Sequence, residues 1–147
     1  MSIFRSMEIS SSGMSAQRFR MDVISQNIAN EDNTRTAEGG PYRRRMTVFQ
    51  EKNSPYLFNN FLHNVEKRAG GYGVRATHVL EDRKTDFKMV YDPSHPDADA
   101  EGYVRYPNVD REQELVDMLS ALRSYEANVT ALSNFKNMAM KALEIAR

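Results

Sequence analysis

Both ends of the chain carry apolar residues at alternating spacings of three and four, and this constrains the fold more than any other feature. At the N-terminus the series is Ile3, Met7, Ser10, Met14, Gln17, Met21, Ile24 and Ile28, with Ser10 and Gln17 as polar interruptions. An α-helix turns once in about 3.6 residues, so these positions share one face. The segment therefore predicts a helix from about residue 3 to about 28. Gly13 weakens it locally, and it should close near Asn30, because asparagine tolerates the left-handed cap and Asp32, Asn33 and Thr34 suit a turn. At the C-terminus Leu115, Met118, Leu122, Tyr125, Val129, Leu132, Lys136, Ala139, Leu143 and Ala146 repeat the pattern, broken only by Lys136. This predicts a second helix at about 111–145, approached through Pro107 and opened by Asp110 and Gln113 in the spacing of a capping box. A sustained period near 3.5 predicts left-handed supercoiling on a partner, and the other terminal helix is the obvious one. The two series are the expected intramolecular seam. The expected fold class is mainly α with a small β insert, the long terminal helices forming an antiparallel coiled coil.

Residues 31–109 hold all five prolines and six of the seven glycines, which places turns there and divides the chain into 1–30, 31–109 and 110–147. Short alternating runs at 42–49, 73–80 and 87–91 predict strands, while 53–69 suits a short helix or a loop equally. The 147 residues allow one ordinary core. With 40% hydrophobic and 27% charged residues, wholesale disorder is not expected. The first residues lack the apolar run of a cleaved secretory signal, and no apolar stretch is long enough to span a bilayer, so neither Sec export nor membrane insertion is expected.

A second apolar stripe runs beside the main seam. In the C-terminal helix it is Ala131, Phe135, Met138, Ala142 and Ile145, and in the N-terminal helix Ile9, Ala16, Phe19 and Val23. Positions 129 and 131 lie about 200° apart around a helix, so the two stripes face different ways. Helices apolar on two sides need two partners. Either the middle segment folds back over the second stripe, or other subunits cover it, where Phe135, Met138 and Ile145 would contribute on the order of 5–8 kcal/mol before entropy.

No catalytic, metal or cofactor site is expected. The chain has no cysteine, so thiolate nucleophiles and thiolate metal sites are excluded, and His63, His78 and His95 lack ligand spacing. Asp97–Gly102 opens like a calcium loop, but position 12 is Asn108 where a bidentate glutamate is required, leaving an acidic turn. Gly71-Tyr72-Gly73 precedes a strand pattern, so no helix N-terminus is there for a dinucleotide. Ser94, His95 and Asp97 are too close in sequence to form a hydrolytic triad. Twenty basic residues balance twenty acidic ones, and alternation sets Arg44 on the opposite side from Arg43 and Arg45, so nucleic acid is not an expected partner.

The segments Ser25-Gln-Asn-Ile-Ala-Asn30 and Thr34–Tyr42, with Ser124-Tyr-Glu-Ala-Asn-Val-Thr130 and Lys136–Ile145 near the other end, resemble the signatures of bacterial flagellar rod and hook proteins. Gly39–Arg44, His95–Asp99, Gly102-Tyr-Val104 and Pro107-Asn-Val109 resemble the proximal rod branch of that family. The long linker to Gly39-Gly-Pro-Tyr42 points the same way, and residues 51–87 carry no recognised motif. The resemblance implies a structural subunit of the basal-body rod crossing the periplasm, exported uncleaved by the flagellar type III apparatus and assembled helically with copies of itself and other rod subunits. The second stripe would then be a subunit interface. Arg43 and Arg45 would pair with acidic groups on adjoining subunits, as their bidentate forks suit. Asn27 would serve between subunits or between elements, and Asn30 either there or as a helix cap. The competing expectation is a soluble coiled-coil adaptor that binds one partner helix and never polymerises.

Overall fold

The structure is a computed structural model that describes residues 3–37, 39–52 and 73–145; the ambiguous segment 53–69, Ala146 and the side chain of Ile3 lie outside the described residues. Helix α1 spans Ile3–Ala29 and helix α2 Arg111–Ile145, both at the expected positions. Between them come strands β1 (Arg45–Glu51), β2 (Val74–Glu81), β3 (Lys88–Tyr91) and β4 (Tyr103–Tyr106). β1 pairs with β2, and β3 with β4 in antiparallel register, Val90 opposite Val104. β4 was not expected: four residues between Gly102 and Pro107 are too few for alternation to stand out.

The helix ends follow from local chemistry. Asn30 closes α1 by donating both its backbone N–H and its Nδ2 to the Gln26 carbonyl, at 3.1 and 2.8 Å. The Asp110 carboxylate opens α2 by accepting the Glu112 N–H at 3.1 Å.

Two compact units divide the chain, Met1–Phe19, Val48–Thr77 and Ala121–Arg147 in one and Arg20–Thr47 with His78–Ser120 in the other. In the first, Ala16 and Ala121 are buried, and a Cβ added at Gly13 would lie 2.8 Å from the Asn128 Oδ1, so the two helices there approach too closely for a larger side chain. The Ser12 hydroxyl donates to the Ile9 carbonyl at 2.7 Å and accepts the Val74 N–H at 3.0 Å, fastening the start of β2 to α1. Gly73 makes this possible. Its φ is +99°, and a Cβ there would fall 2.1 Å from the Ser12 Oγ and 3.4 Å from the Ile9 Cα.

In the second unit Val23, Ile24, Tyr42, Val104 and Val109 form the apolar core. Arg20 meets Asp117 and Asn27 meets Glu114, so positions rise along α1 as they fall along α2 and the helices lie antiparallel. The Lys88 ammonium donates to the Val109 carbonyl at 2.6 Å, tying β3 to the approach of α2. The turn after β2 is shaped by Asp82, which accepts the N–H groups of Lys84 and Thr85 and the Thr85 hydroxyl. That hydroxyl, then the two amides, holds the Asp82 carboxyl below the usual range.

The inward faces differ from the expected seam. In α2 the covered residues are Glu114, Asp117, Ala121, Ser124, Tyr125, Asn128, Ala131, Leu132, Phe135 and Ala139, mostly small or polar; Tyr125, Leu132 and Ala139 belong to the expected seam, whereas its Leu115, Leu122, Val129 and Leu143 are exposed. Met118 is half-buried at the margin. In α1 the buried residues are Ser10, Ala16, Val23, Ile24 and Asn27, and Met7, Met14, Met21 and Ile28 are half-buried. At about 100° per residue, the inward face of each helix falls between its two apolar stripes. Small residues let helix backbones approach, and the flanking stripes keep much of their apolar area outside the monomer.

Candidate functional site

Among the described residues the densest hydrogen bonding is at a polar junction in the second unit, where the end of α1, the start of α2 and the segment leading into β1 converge. Asn27 sits at its centre, fully buried. Its Nδ2 donates to the Arg45 carbonyl at 2.9 Å and to Glu114 Oε2 at 3.0 Å. Its Oδ1 accepts the Arg45 N–H at 2.9 Å and the Tyr42 hydroxyl at 3.0 Å. An asparagine amide offers two donors and an oxygen with two lone pairs, and all are used. By bonding both the N–H and the C=O of Arg45, the side chain pairs with that residue as a neighbouring strand would.

Asn108 does the same for the next layer. Its Oδ1 accepts the Arg44 N–H at 2.8 Å while its Nδ2 donates to the carbonyls of Asp82 and Thr85 at 3.0 and 3.1 Å. Arg44 is thereby held so that its Nε bonds Glu114 Oε1 and its Nη2 bonds Asp117 Oδ2 at 3.1 Å. The second oxygen of Asp117 takes Arg20 Nη2 at 3.0 Å. Burial works against the Arg44 charge, but the hydrogen bond and charge of Glu114, with Asp117 and Asp82 behind it, outweigh burial and hold its pKa above the ordinary value.

Burial pushes the Tyr42 phenol above its ordinary value near 10; the Arg45 charge opposes this and Glu114 and Glu81 reinforce it. A pKa raised in the folded state means the neutral phenol is favoured there. Its contribution to stability is complete below about pH 10 and is lost as pH rises through the folded value. Difference absorbance at 295 nm between the chain and Tyr42→Phe should show the missing phenolate step on the alkaline side of 10; a step at or below 10 would contradict the buried position.

The expected interface residues are distributed unevenly. Ala16 and Val23 are buried within the chain and not on a surface open to other subunits, and Asn27 is buried between elements, one of the two roles expected for it. Asn30 is occupied as a cap, with its Oδ1 accepting Asn33 Nδ2 at 3.1 Å. Ile9 and Phe135 are half-buried, while Phe19, Met138, Ala142 and Ile145 are exposed. Arg43 donates to the Asp82 carbonyl at 3.2 Å and stacks on Phe87; Arg45 stacks on Tyr42 with Glu81 Oε1 at 3.9 Å, so both arginines have partners inside the chain. Sequence inspection missed Arg44, Glu114, Asp117 and Arg20. The signal that marks Glu114 and Asp117 is that Glu114, Asp117, Ala121, Ser124 and Asn128 themselves repeat at spacings of three and four, a seam of small and polar residues.

Among the described residues no group of acidic or histidine side chains is arranged to hold a metal, and no helix is long and apolar enough to cross a membrane. Asp99 Oδ1 accepts the N–H groups of Glu101 and Tyr103, so the calcium-like sequence is an acidic turn. A junction saturated by its own partners leaves no reacting group, and what it produces is a fixed relation between two helices and a strand.

Comparison with known proteins agrees with this picture. Residues 7–35 match the family model for flagella basal body rod proteins, and residues 100–145 match the flagellar basal body rod FlgEFG protein C-terminal model. The chain is 48% identical to the flagellar basal-body rod protein FlgC of Bacillus subtilis, with all of both chains covered. It is 45% identical to that of Borreliella burgdorferi over 99% of this chain and 98% of the relative, and 37% identical to that of Escherichia coli over the full length of both. Both matched segments carry the junction, Asn27 in one and Asn108, Glu114 and Asp117 in the other. On these grounds the chain belongs to the flagellar basal-body rod protein family.

Proposed function

We propose that this chain is a structural subunit of the proximal rod of the bacterial flagellar basal body, polymerising through its terminal helices into the shaft that transmits torque. It is not an enzyme, as its family is not. The observation that carries the proposal is the pair of apolar stripes left outside on α2. Leu115, Leu119, Leu122 and Val129 lie on one side of the inward face, and Met138, Ala142 and Ile145 on the other. An adaptor for one partner helix needs one such stripe; a subunit in a packed tube needs two. Contacts between unlike faces do not close on themselves and continue as a helical array.

In this proposal neighbouring rod subunits and further copies cover the stripes, with α1 and α2 supercoiling as they pack. The flagellar type III apparatus exports the chain beforehand. Torque passes because close-packed interfaces have low compressibility and resist strain, and the buried junction keeps α1 from sliding against α2. The direct test is a map of basal bodies purified from cells that carry the chain as their only copy. Density for α1 and α2 is expected in the rod, and cells lacking the chain should not swim. A rod without that density, or swimming without the chain, would overturn the assignment.

A further inference from the structure

Beside the junction, arginines line an open groove of about 660 Å³ in the second unit. Among its described lining residues are four guanidiniums, Arg43, Arg45, Arg83 and Arg105, against one carboxylate, Glu81. Glu81 is shared, reaching Arg83 Nη2 at 3.4 Å and Arg45 Nη2 at 3.9 Å. Two of the arginines are held by aromatic faces: the Arg43 guanidinium carbon lies 4.3 Å above the Phe87 ring centre and that of Arg45 lies 5.4 Å from the Tyr42 ring centre. Stacking fixes the plane of a guanidinium while leaving donors along its edge, the arrangement that receives a carboxylate in a bidentate pair.

The same unit presents the opposite charge. Between Lys88 and Arg105 the chain carries Asp92, Asp97, Asp99 and Glu101 and no lysine or arginine. This β3–β4 loop is a rigid knuckle. The N–H of Asp92 bonds the Gly102 carbonyl and that of Asp99 bonds the Tyr103 carbonyl, both at 2.9 Å, while Gly102, at φ +82°, packs against the Tyr91 ring. Asp92 and Asp99 accept amides inside the loop; Asp97 accepts the Thr34 hydroxyl at 2.8 Å with Arg35 Nη1 at 4.0 Å, its side chain 29% exposed, and Glu101 is exposed.

We infer that the arginine-lined groove of one copy receives the acidic Asp97–Glu101 knuckle of a second copy. The occupant follows from charge complementarity. The described groove lining carries four arginines against one glutamate, while the loop carries four carboxylates and no lysine or arginine of its own, and hydrogen bonds and ring contacts hold both. Groove and knuckle adjoin, since Gly40, Pro41 and Arg105 line both the groove and the hollow beside Asp97 and Asp99, but the contact joins unlike surfaces, the kind that can propagate along a helical polymer. Ion pairs of this sort set orientation and register, while the apolar stripes supply most of the buried area. The inference rests on the rod assignment and deepens it.

The chain has no cysteine, which makes the contact directly testable. Arg83→Cys and Glu101→Cys chains are expressed together in cells lacking any other copy, and the cells are oxidised. A disulfide-linked dimer requiring both variants is expected, at least about tenfold above either variant alone and above Glu101→Cys paired with Arg75→Cys, which is exposed on β2 and outside the groove. Adding Arg105→Glu to the Arg83→Cys chain should lower the yield several-fold, since it places a like charge against the knuckle. Cells that swim but give no 83–101 link, or an equal link from position 75, would overturn the contact and leave the rod assignment standing. Swimming by cells with no copy of the chain would overturn the rod assignment itself.

Discussion

Arg44→Met should destabilise the second unit by about 3–5 kcal/mol, the cost of leaving one partner of a buried ion pair without the other. Glu114 has no exposed surface, and its two oxygens are taken by Arg44 Nε and Asn27 Nδ2. Without the guanidinium the carboxylate keeps one amide, and Asp117 keeps only Arg20. Arg44→Lys should cost less but not nothing. An ammonium is a point charge and cannot bond Glu114 and Asp117 in the fixed fork that arginine supplies. The informative variant is the double one. Arg44→Met with Glu114→Met removes both buried charges, and apolar replacement of such a pair is often nearly neutral. The two single costs should therefore fail to add by several kcal/mol. Denaturant unfolding followed by far-ultraviolet and near-ultraviolet tyrosine circular dichroism measures all three variants. A single Arg44→Met cost under about 1 kcal/mol would mean that the junction is solvated and does not hold the helices together.

Arg44 also shows why the sequence was easier to read for elements than for faces. The two helices, their ends and three of the four strands are legible because each depends on local chemistry: period, capping residues, and glycine or proline punctuation. Alternation from Tyr42 onward predicts Arg43 and Arg45 on one side and Arg44 on the other. The strand begins only at Arg45, so Tyr42 to Arg44 lie before the pleat and their side chains are directed by Asn27 and Asn108. Neither contact can be inferred from spacing, since they join residues 15 and 64 positions apart. The helix faces were misread for a related reason. Apolar periodicity reports all surface that is covered in the working state, whether by the same chain or by another. On the rod proposal most of the covering comes from other subunits, and the strongest stripe is then the external one. The intramolecular face then shows itself by residues that permit close approach or saturate one another, here Gly13, Ala16 and Asn27 facing Ala121, Asn128 and Glu114. Asn27 did stand out in the sequence, as part of a helix-closing motif, and its role between elements proved to be intramolecular.

The external stripe yields the largest expected functional effect. Leu119→Glu with Leu122→Glu should leave the isolated chain folded yet abolish swimming. Leu119 is 56% exposed and Leu122 41%, so neither fills the core of the monomer, and surface substitutions of this kind change stability by about 0.5 kcal/mol or less each. In the proposed tube neighbouring subunits would cover the same positions. Each fully buried leucine then contributes about 1.5–3 kcal/mol, and a carboxylate in its place must lose its hydration as well. Since only about half of each leucine is exposed beforehand, the two losses at every subunit contact come to roughly 1.5–3 kcal/mol before the charge penalty, a fall in association of about tenfold or more. Because a polymer repeats the contact, the defect recurs at each copy. Val23→Asp provides the opposite control: Val23 is 4% exposed, so a charge there should unfold the chain as well as stop assembly. Unfolding midpoints of the purified variants, set beside spreading in soft agar by cells carrying each as the only copy, separate the two effects. A Leu119→Glu/Leu122→Glu chain with unchanged stability whose cells spread normally would show that this stripe faces water in the rod. The assembly surface would then have to lie on the Met138 and Ile145 side alone, and one stripe of the two on α2 would be left without a function.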